Sequence, residues 1–200
     1  SPGFESKICP PAQLTARAEL LTRPLVFTNG CFDILHRGHV TYLAQAAALG
    51  ASLVVALNSD ASVRRQGKGD DRPVNALADR LAVMAALGCV TLVTWFDEDT
   101  PLQRILDCRP EILVKGGDWP EERIVGASEV RSWGGRVVSI AFRHDRSTSA
   151  VIGSSSWITK RSPSSAGCTL RNSGMPRQLC EPSCLSMRPS KPQKRSAAAR

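Results

Sequence analysis

LVFTNGCFDILHRGH, at residues 25–39, joins a short apolar run to a polar turn and the start of an amphipathic segment. The apolar residues at 25–27 are consecutive and do not alternate with polar ones, which is typical of a strand buried on both faces. Beyond the turn, residues 38–49 have the spacing of one apolar helix face, and Gly50 supplies a helix stop. That predicted face consists of Val40, Leu43, Ala44 and Ala47. The stretch therefore predicts a buried strand that turns directly into a helix.

Four more short apolar runs follow, and each has the same consecutive pattern as the run at 25–27. They are LVVAL at 53–57, VTLVTW at 90–95, ILV at 112–114 and VVSIA at 137–141. The runs start roughly 20 to 40 residues apart, which suits βαβ units of about 30 residues with right-handed crossovers. The sequence therefore predicts an α/β fold: a Rossmann-like, doubly wound, five-stranded parallel sheet with helices on both faces.

Helix signals lie between these runs. Asn75 can cap a helix that ends at Gly88. The apolar face predicted for that helix consists of Leu77, Leu81, Met84 and Ala85. Thr100 followed by Pro101 predicts an N-cap with proline at the first helical position, and the dipeptide at 109–110 ends that helix. Strand and helix therefore alternate along the chain.

The chain divides into three predicted regions of different composition. Residues 1–23 form an N-terminal helical extension, and residues 24–152 hold the predicted strands and helices. Residues 153–200 form a basic, Ser- and Pro-rich tail without apolar periodicity, which we expect to be disordered. The formal net charge of +8 belongs to the end of the chain, because residues 1–150 carry 17 basic and 17 acidic side chains, whereas 151–200 carry 9 and one.

Composition also indicates the cellular compartment in which the protein is expected. No apolar run approaches the ~20 residues that cross a bilayer, and the first residues lack the apolar centre of a signal peptide. We therefore expect a cytoplasmic protein without a membrane partner. The seven cysteines show no CxxC spacing, so we expect reduced thiols and no zinc site. Cys31 is interpreted as a small buried filler and not as a nucleophile.

Two histidines in the turn before the first long helix point to an anion site. His36 and His39 flank Gly38 at a helix start, where backbone N–H groups and partial positive charge favour a phosphate. Gly38 lets an anion approach the backbone, and neutral imidazoles can donate hydrogen bonds. The alternative is that both histidines cap and pack the turn without contacting a ligand.

Cationic side chains follow the second predicted strand. A Gly- and Asp-rich loop carries Arg64, Arg65, Lys68 and Arg72. This loop suits a cationic arm that closes on phosphates, and the alternative is a solvated loop whose charges nearby aspartates offset. Arg80 lies one turn into the next helix, where it should emerge near the carboxyl edge of the sheet. The alternative there is a surface helix arginine.

The loops after the later strands add further candidates. After the fourth run, two glycines permit close backbone contact with a flat nucleotide base, and a lysine and an aspartate lie beside them. The alternative is a plain Gly-Gly turn. Those candidates are Lys115, Gly117 and Asp118. After the fifth run, a helix start offers a second phosphate cradle, with Ser147 as a plain N-cap being the alternative. Those candidates are Arg143, Ser147 and Thr148.

The acidic turn that follows the third run could also bind a ligand. Residues 97–99 read DED and could hold a metal ion, but a solvated turn ahead of the Thr100 cap is the preferred interpretation. The sequence therefore predicts no metal site built from protein side chains.

These loops together carry a family resemblance across residues 24–152. The stretches are TNGCFDILHRGH at 28–39, NSDASVRRQGKGDDRPVN at 58–75, VKGGDW at 114–119 and HDRSTSA at 144–150. They resemble the motifs of the HxGH nucleotidylyltransferase superfamily and, more narrowly, of the D-glycero-β-D-manno-heptose 1-phosphate adenylyltransferases. The resemblance implies that residues 24–152 are a nucleotidylyltransferase domain. After residue 152 the sequence departs from the family, because residues 153–156 read GSSS where a basic amphipathic helix is expected.

The resemblance implies an enzyme that transfers adenylyl from ATP to heptose 1-phosphate, giving ADP-heptose and pyrophosphate for the inner core of lipopolysaccharide. It implies catalytic roles for four residues, which are His36, His39, Lys68 and Arg80. It implies nucleotide binding by Thr28, Asn29, Gly30, Phe32, Asp33, Gly38, Lys115, Gly117, Asp118, Arg143, Ser147 and Thr148. Mg²⁺ would arrive with ATP, because that ion prefers phosphates and water to a protein cage.

Two other functions stay open from the sequence. One is a cytidylyltransferase acting on glycerol 3-phosphate or a similar alcohol phosphate, which shares the HxGH and Ser/Thr motifs. The other is a nucleic-acid-binding module that uses the basic tail, although the tail offers only Trp157 for stacking and contains no recognition motif. We therefore expect no nucleic-acid partner. Stand-alone members of such families commonly self-associate, so a homo-oligomer is also expected.

Overall fold

The computed structural model describes residues 2–67, 72–117 and 119–141, and it contains all five predicted strands. Each strand covers most or all of its predicted apolar run. The strands are β1 (Leu25–Gly30), β2 (Ser52–Asn58), β3 (Leu92–Phe96), β4 (Ile112–Gly116) and β5 (Arg136–Ile140). Side chains of β1 to β4 are buried on both faces over most of their length, as their unbroken apolar sequences predicted.

All neighbouring strands are parallel, in the order β3-β2-β1-β4-β5. The chain runs outward from β1 through β2 to β3 and then crosses back to place β4 on the other side of β1. The strand order therefore reverses between β1 and β4, and in such sheets ligands bind beyond the carboxyl ends at this point. Both strands lead into loops that the sequence singled out, which begin at residues 31 and 117.

Helices cover both faces of the sheet, so the predicted fold class is confirmed. They are α1 (Leu14–Glu19), α2 (Arg37–Ala47), α3 (Asp60–Arg65), α4 (Leu77–Ala86), α5 (Leu102–Cys108) and α6 (Ala127–Ser132), with 3-10 turns at Gly3–Lys7, Pro11–Gln13 and Glu121–Arg123. One apolar core contains residues of α1, α5 and α6, and the other contains residues of α2 and α4. None of the helices in the described ranges is both long and apolar enough to cross a membrane.

The buried face of α2 differs from the predicted one. Val40 is 43% exposed, and Ala44 is exposed as well, whereas Tyr42, Leu43 and Ala46 lie in the core. The helix is therefore rotated by one residue relative to the face proposed from apolar spacing. The reason is that Tyr42 is buried with its hydroxyl hydrogen-bonded, so an aromatic residue with a polar end takes a core position. This rotation places His39 on the same side as the buried residues.

The predicted helix caps are also shifted. The N-cap of α4 is Ala76, which makes no side-chain cap bond. The predicted cap residue, Asn75, instead donates from its side chain to the Asp33 carbonyl at 2.6 Å. The N-cap of α5 is Pro101 in place of Thr100, so that helix starts one residue later than predicted. Its predicted end at Arg109 is confirmed, with that residue in the left-handed conformation.

The N-terminal segment covers the edge of the sheet at β3. Ile8 makes a single parallel bridge to Val93, and the Cys9 N–H donates to the Val93 carbonyl at 2.8 Å. Arg17 on α1 ties this segment back through bonds to the Ser6 and Ile8 carbonyls. The segment therefore uses backbone groups of an edge strand that would otherwise be open to another chain. The predicted tail at 153–200 lies outside the described residues.

Candidate active site

The loop after β1 has a strained backbone that places an aromatic ring beside the histidines. Phe32 is buried and adopts a left-handed conformation, with φ of 44°. A Cβ atom at Gly30 would lie 2.9 Å from the Phe32 ring, so the ring needs a glycine beneath it. The same ring contacts His39 edge-on, with centroids 5.3 Å apart. Non-glycine residues in this conformation occur at functional sites, where the surroundings hold the strain.

His36 is the N-cap of α2, and its ring makes the cap bond. The Gly38 N–H donates to His36 Nδ1 at 3.1 Å. A ring nitrogen that accepts a hydrogen bond carries no proton, so the neutral ring has its proton on Nε2 and can donate there. This bond also occupies the N–H of Gly38, the residue at which the sequence predicts that an anion approaches the backbone. Capping and ligand binding, posed as alternatives for His36, are compatible in this geometry.

The two imidazole rings are held close together and stay neutral at neutral pH. Their centroids are 3.9 Å apart, with the ring planes tilted by 33°. Burial, and to a lesser extent the neighbouring His36, together lower the pKa of His39 to about 4, against a bond to the Ile34 backbone that raises it. Burial also lowers the pKa of His36. The pair therefore offers neutral imidazoles, and not fixed positive charges, at the start of α2.

These pKa values predict a loss of stability in mild acid. An unfolded histidine titrates near 6.5, whereas folded His39 titrates near 4, so the unfolded chain binds more protons between these values. The free energy of unfolding therefore falls as the pH drops from about 6.5 to 4, by up to about 3 kcal/mol for His39. Urea unfolding across this range, compared with His39→Gln, measures the effect. Parallel pH profiles for both proteins would contradict it.

Asp33 is a buried carboxylate that fixes the segment ahead of α4. Its oxygens accept the Val74 N–H at 3.0 Å, the Asn75 N–H at 2.9 Å and the Arg72 guanidinium at 2.7 Å. Burial alone would raise the pKa of Asp33, but these hydrogen bonds outweigh it and hold the pKa below its usual value. The carboxylate is thus engaged by the protein, so this structure favours a positioning role over the expected nucleotide contact.

Arg80 is also buried, so the alternative of a surface helix arginine is wrong. Its side chain donates to the Cys31 and Asn58 carbonyls at 2.8 Å each, to the Asn75 carbonyl at 3.0 Å and to Asp60 at 2.6 Å. Four of its five N–H donors are thereby engaged. The guanidinium ties the carboxyl ends of β1 and β2 to the start of α4. Its expected contact with the triphosphate stays a prediction.

Thr28 lies inside the protein and not at the carboxyl edge. Its hydroxyl is fully buried and shares a 2.5 Å hydrogen bond with the Tyr42 hydroxyl. Burial raises the pKa of Tyr42 to about 12, so both groups stay protonated. The expected nucleotide contact by the Thr28 side chain therefore has no support in this structure. The pair instead fixes α2, and the histidines at its start, against β1.

A cavity of about 240 Å³ opens at the carboxyl ends of β1, β2, β3 and β4. It brings together three residues predicted from the sequence, which are Asn29, Gly30 and Lys115. It also brings in residues that were not proposed as ligand contacts, which include Cys31, Asn58, Gln66, Phe96, Asp99 and Thr100. Three of them carry a signal that the sequence offers, since Cys31 follows β1 directly and Asn58 and Phe96 end β2 and β3, where parallel sheets bind ligands.

Cys31 lines this cavity, so the interpretation of a buried filler is wrong. The residue is partly exposed, and its Sγ lies 3.3 Å from Gln66 Oε1 and 3.7 Å from Asn58 Oδ1. The side chain sits in the turn between β1 and the histidines, where the chain leaves the sheet. Its thiol therefore contacts two amide side chains at the mouth of the site.

The loop after β4 has the backbone freedom that its glycines predicted. Gly117 has φ of 102°, its N–H donates to the Ile140 carbonyl at 2.9 Å, and its carbonyl accepts from Trp119 and Ser139. A Cβ atom at Gly117 would lie 3.1 Å from the Trp119 indole nitrogen. The exposed Trp119 therefore lies directly against the glycine at the point where the strand order reverses.

The acidic turn at 97–99 is engaged by the protein. Asp97 accepts from Ser59, Asp99 pairs with Arg65 at 2.9 Å, and Glu98 accepts the Asp97 N–H. No cluster of three metal-ligating side chains occurs in the described ranges. These contacts favour the predicted acidic turn over a metal site.

Five of the predicted site residues lie outside the described residues. They are Lys68, Asp118, Arg143, Ser147 and Thr148. Two of the cations predicted in a loop after β2, Arg64 and Arg65, lie instead in the last turn of α3. Arg65 pairs with Asp99, Arg72 pairs with Asp33, and Arg64 is exposed. The roles proposed for all of these side chains stay predictions.

The fold and the histidine-bearing turn define a class of nucleotide-binding α/β proteins that hold phosphates at the start of the helix after β1. Among known protein families, the cytidylyltransferase-like family matches residues 27–161 of this chain. D-beta-D-heptose 1-phosphate adenylyltransferase of Bordetella bronchiseptica is 60% identical over 152 residues, which cover 75% of this chain and 94% of that protein. The chain belongs to the cytidylyltransferase-like family and groups there with the heptose 1-phosphate adenylyltransferases.

Two further relatives agree with this assignment. The bifunctional protein HldE of Geotalea uraniireducens is 56% identical over 128 residues, which are 64% of this chain but only 26% of that protein. The chain thus spans about a quarter of the bifunctional relative. The crystal structure of a lipopolysaccharide core biosynthesis protein from Thermoplasma volcanium aligns with a TM-score of 0.50 and 28% identity, covering 61% of this chain and 98% of that one.

Proposed function

We propose that this chain transfers the adenylyl group of ATP to D-glycero-β-D-manno-heptose 1-phosphate, giving ADP-heptose and pyrophosphate for lipopolysaccharide synthesis. The observation that carries the proposal is 60% identity to a heptose 1-phosphate adenylyltransferase across nearly all of that relative's length. The geometry at the start of α2 supports it, because two neutral imidazoles lie beside a helix N-terminus at the carboxyl edge.

The proposed reaction is a direct displacement at phosphorus. An oxygen of the sugar phosphate attacks the α-phosphorus of ATP in line, the new P–O bond forms, and the bond to the β-phosphate oxygen breaks. The acceptor phosphate is already anionic near neutral pH, so no strong general base is needed. Catalysis then depends on positioning and on stabilising the charge that spreads over the phosphoryl oxygens.

In this proposal the histidine pair donates hydrogen bonds to the phosphates. His36 would donate from Nε2, because its Nδ1 is fixed by the Gly38 N–H. His39 would act beside it, held by Phe32 and by the His36 ring. Asn29, Gly30 and Lys115 would line the floor of the site. The residues outside the described ranges, Lys68 and Ser147 among them, keep their proposed phosphate contacts as predictions.

The described residues do not offer a built site for Mg²⁺, so we place that ion with the nucleotide. In the acidic turn at 97–99, the carboxylates accept hydrogen bonds from Ser59, Arg65 and the Asp97 N–H. No cluster of three metal-ligating side chains occurs in the described residues. Bound to the triphosphate, the ion would neutralise phosphate charge. Cytoplasmic location and self-association also stay predictions from the sequence.

Pyrophosphate release tests the proposed function against its nearest alternative. The assay crosses ATP and CTP with heptose 1-phosphate and glycerol 3-phosphate. We expect turnover with ATP and heptose 1-phosphate, at a kcat/KM at least about tenfold above any other pair, since tenfold corresponds to about 1.4 kcal/mol of discrimination. A preference for CTP with glycerol 3-phosphate would overturn the proposal in favour of a cytidylyltransferase.

A further inference from the structure

We propose that Tyr42 is a positioning residue, whose buried hydroxyl holds β1 and β4 apart where the strand order reverses and fixes the histidine-bearing start of α2 beside that opening. This inference rests on the proposed function and extends it to a residue beneath the candidate site. Tyr42 is only 3% exposed, so its hydroxyl ends inside the protein. That hydroxyl lies 2.5 Å from Thr28 Oγ1 on β1 and 3.4 Å from the Val114 carbonyl oxygen on β4. One side chain of α2 thus contacts both strands.

The ladder between β1 and β4 is shorter than the ladders on either side of it. β1 pairs with β2 along all six of its residues, and β4 pairs with β5 along all five of its residues. Within these described strands, β1 and β4 pair at only two positions, the second of which joins Phe27 to Leu113. The same register would next join Thr28 to Val114, which are the two residues that the Tyr42 hydroxyl contacts. The hydroxyl therefore lies where the two strands part.

The hydroxyl makes hydrogen bonds to β4 of the kind that a β1 residue would make. In a parallel ladder, one residue bonds to a carbonyl and an N–H that lie two residues apart on the neighbouring strand. Tyr42 donates to the Val114 carbonyl. Burial raises the pKa of Tyr42 to about 12, against hydrogen bonds from the Thr28 side chain and the Gly116 backbone. Because Val114 and Gly116 are two residues apart on β4, the phenol takes the place of a β1 residue and keeps buried backbone groups bonded.

Tyr42 is coupled to the histidine pair through a single turn of α2. His39 precedes Tyr42 by three residues, and side chains three apart lie on the same face of a helix. The Phe32 ring contacts His39 edge-on and shares a core with Tyr42. A hydroxyl anchored to two strands sets both the rotation of α2 and its position along its own axis. The imidazoles at the start of that helix are therefore placed relative to the opening between β1 and β4.

Replacing Tyr42 with phenylalanine should misplace the imidazoles without removing them. Phenylalanine keeps the ring in the core and lacks only the oxygen, so the variant should fold. A displacement of about 1 Å near the reacting groups costs roughly 10²-fold in rate. We therefore expect kcat for pyrophosphate release from ATP and heptose 1-phosphate to fall about ten- to hundredfold. KM for ATP should stay within about twofold, because the pair acts on charge that develops during transfer.

Trp133→Phe is the matched control, because it also removes one hydrogen-bond donor from an aromatic side chain. The Trp133 indole N–H donates to the Pro110 carbonyl at 2.9 Å, and the residue packs against the core that contains α1, α5 and α6. This variant should lose stability to urea, as Tyr42→Phe does, but it should keep kcat within about twofold. A merely structural role for the Tyr42 hydroxyl predicts the same result in both variants.

A second substitution removes the same hydrogen bond from the other end. Thr28→Val keeps the branched shape of the side chain without its hydroxyl, so its kcat should match that of Tyr42→Phe. The double variant should be no slower than either single variant, because one hydrogen bond cannot be lost twice. Losses in kcat that multiply in the double variant would show that the two hydroxyls act separately and would overturn the proposal.

Histidine NMR gives a readout that does not depend on turnover. The chain contains three histidines, so the ring resonances of His36 and His39 can be assigned in the full chain by substitution. Both sets of resonances should shift in Tyr42→Phe and stay in place in Trp133→Phe near neutral pH. Unchanged His36 and His39 resonances in Tyr42→Phe would contradict the positioning role.

The two proposals fail in different ways. Wild-type protein that releases no pyrophosphate from ATP and heptose 1-phosphate overturns the proposed function, and the NMR comparison still decides the role of Tyr42. Wild-type protein that turns over normally, beside a Tyr42→Phe variant with kcat within about twofold of it, overturns the positioning role alone. If Tyr42→Phe does not fold, Thr28→Val decides by the same two measurements.

Discussion

Replacing His39 with alanine should lower kcat by at least about two orders of magnitude while the protein stays folded. The expected loss corresponds to about 2.7 kcal/mol of transition-state stabilisation, the scale for removing one preorganised donor. Because the donor acts on charge that develops during transfer, kcat and kcat/KM should fall together. Val40→Ala is the matched control, since Val40 adjoins His39 on α2 but is exposed to solvent, and it should keep turnover within about twofold.

His36 allows capping and catalysis to be separated with two variants. Asparagine at an N-cap accepts the same kind of backbone N–H bond that His36 Nδ1 accepts from Gly38, but it offers no Nε2 donor. We therefore expect His36→Asn to keep the stability of wild type, whereas His36→Ala loses about 1 kcal/mol of unfolding free energy. Both should lose about two orders of magnitude in kcat.

Urea unfolding and steady-state pyrophosphate assays measure both quantities on the same samples. Near-normal turnover in either His36→Asn or His39→Ala would show that the pair only caps and packs the turn. The same conclusion would follow if activity fell only in His36→Ala, in proportion to its loss of stability.

The fold could be predicted from the sequence because its strands are buried on both faces. Consecutive apolar runs at 53–57 and 112–114 mark strands whatever the details of their neighbours, and β2 and β4 occupy them. Helix faces were harder. Aliphatic spacing predicts that Val40 and Ala44 of α2 are buried, but Tyr42 is buried instead, because its hydroxyl finds a buried partner and its ring joins the core.

The position of the candidate site could be predicted from the sequence, but the role of each residue could be predicted less well. Strand ends identified the correct edge, because parallel strands bring all their carboxyl ends together. Most of the bonds that engage Asp33 and Arg80 could not be predicted, since all their partners but Asn75, which bonds Arg80, lie about 20 to 50 positions away along the chain. Cys31 was misjudged for a related reason: burial depends on what packs across a turn, and a single sequence does not show that.

Replacing Arg80 with methionine should cost about 3–5 kcal/mol of unfolding free energy, the range for breaking a buried charge pair from one side. The side chain is 2% exposed and joins three backbone carbonyls and the Asp60 carboxylate. Methionine fills much of the volume but leaves these acceptors without donors inside the protein. Arg80→Lys keeps the charge yet cannot span four acceptors in one plane, so its loss should be intermediate.

The matched control for this change is an arginine whose ion pair faces solvent. Arg131→Met removes a pair with Glu121 in which both side chains are about two-fifths exposed or more, and it should cost less than about 1 kcal/mol. Urea unfolding near pH 7.5 measures all three variants. If Arg80→Met unfolds like wild type while its kcat collapses, Arg80 acts on the substrate and not through the loops it joins. If stability falls by several kcal/mol and kcat of the folded fraction falls less than about tenfold, the guanidinium is a positioning group that holds the carboxyl ends of β1 and β2 in register beneath the phosphates.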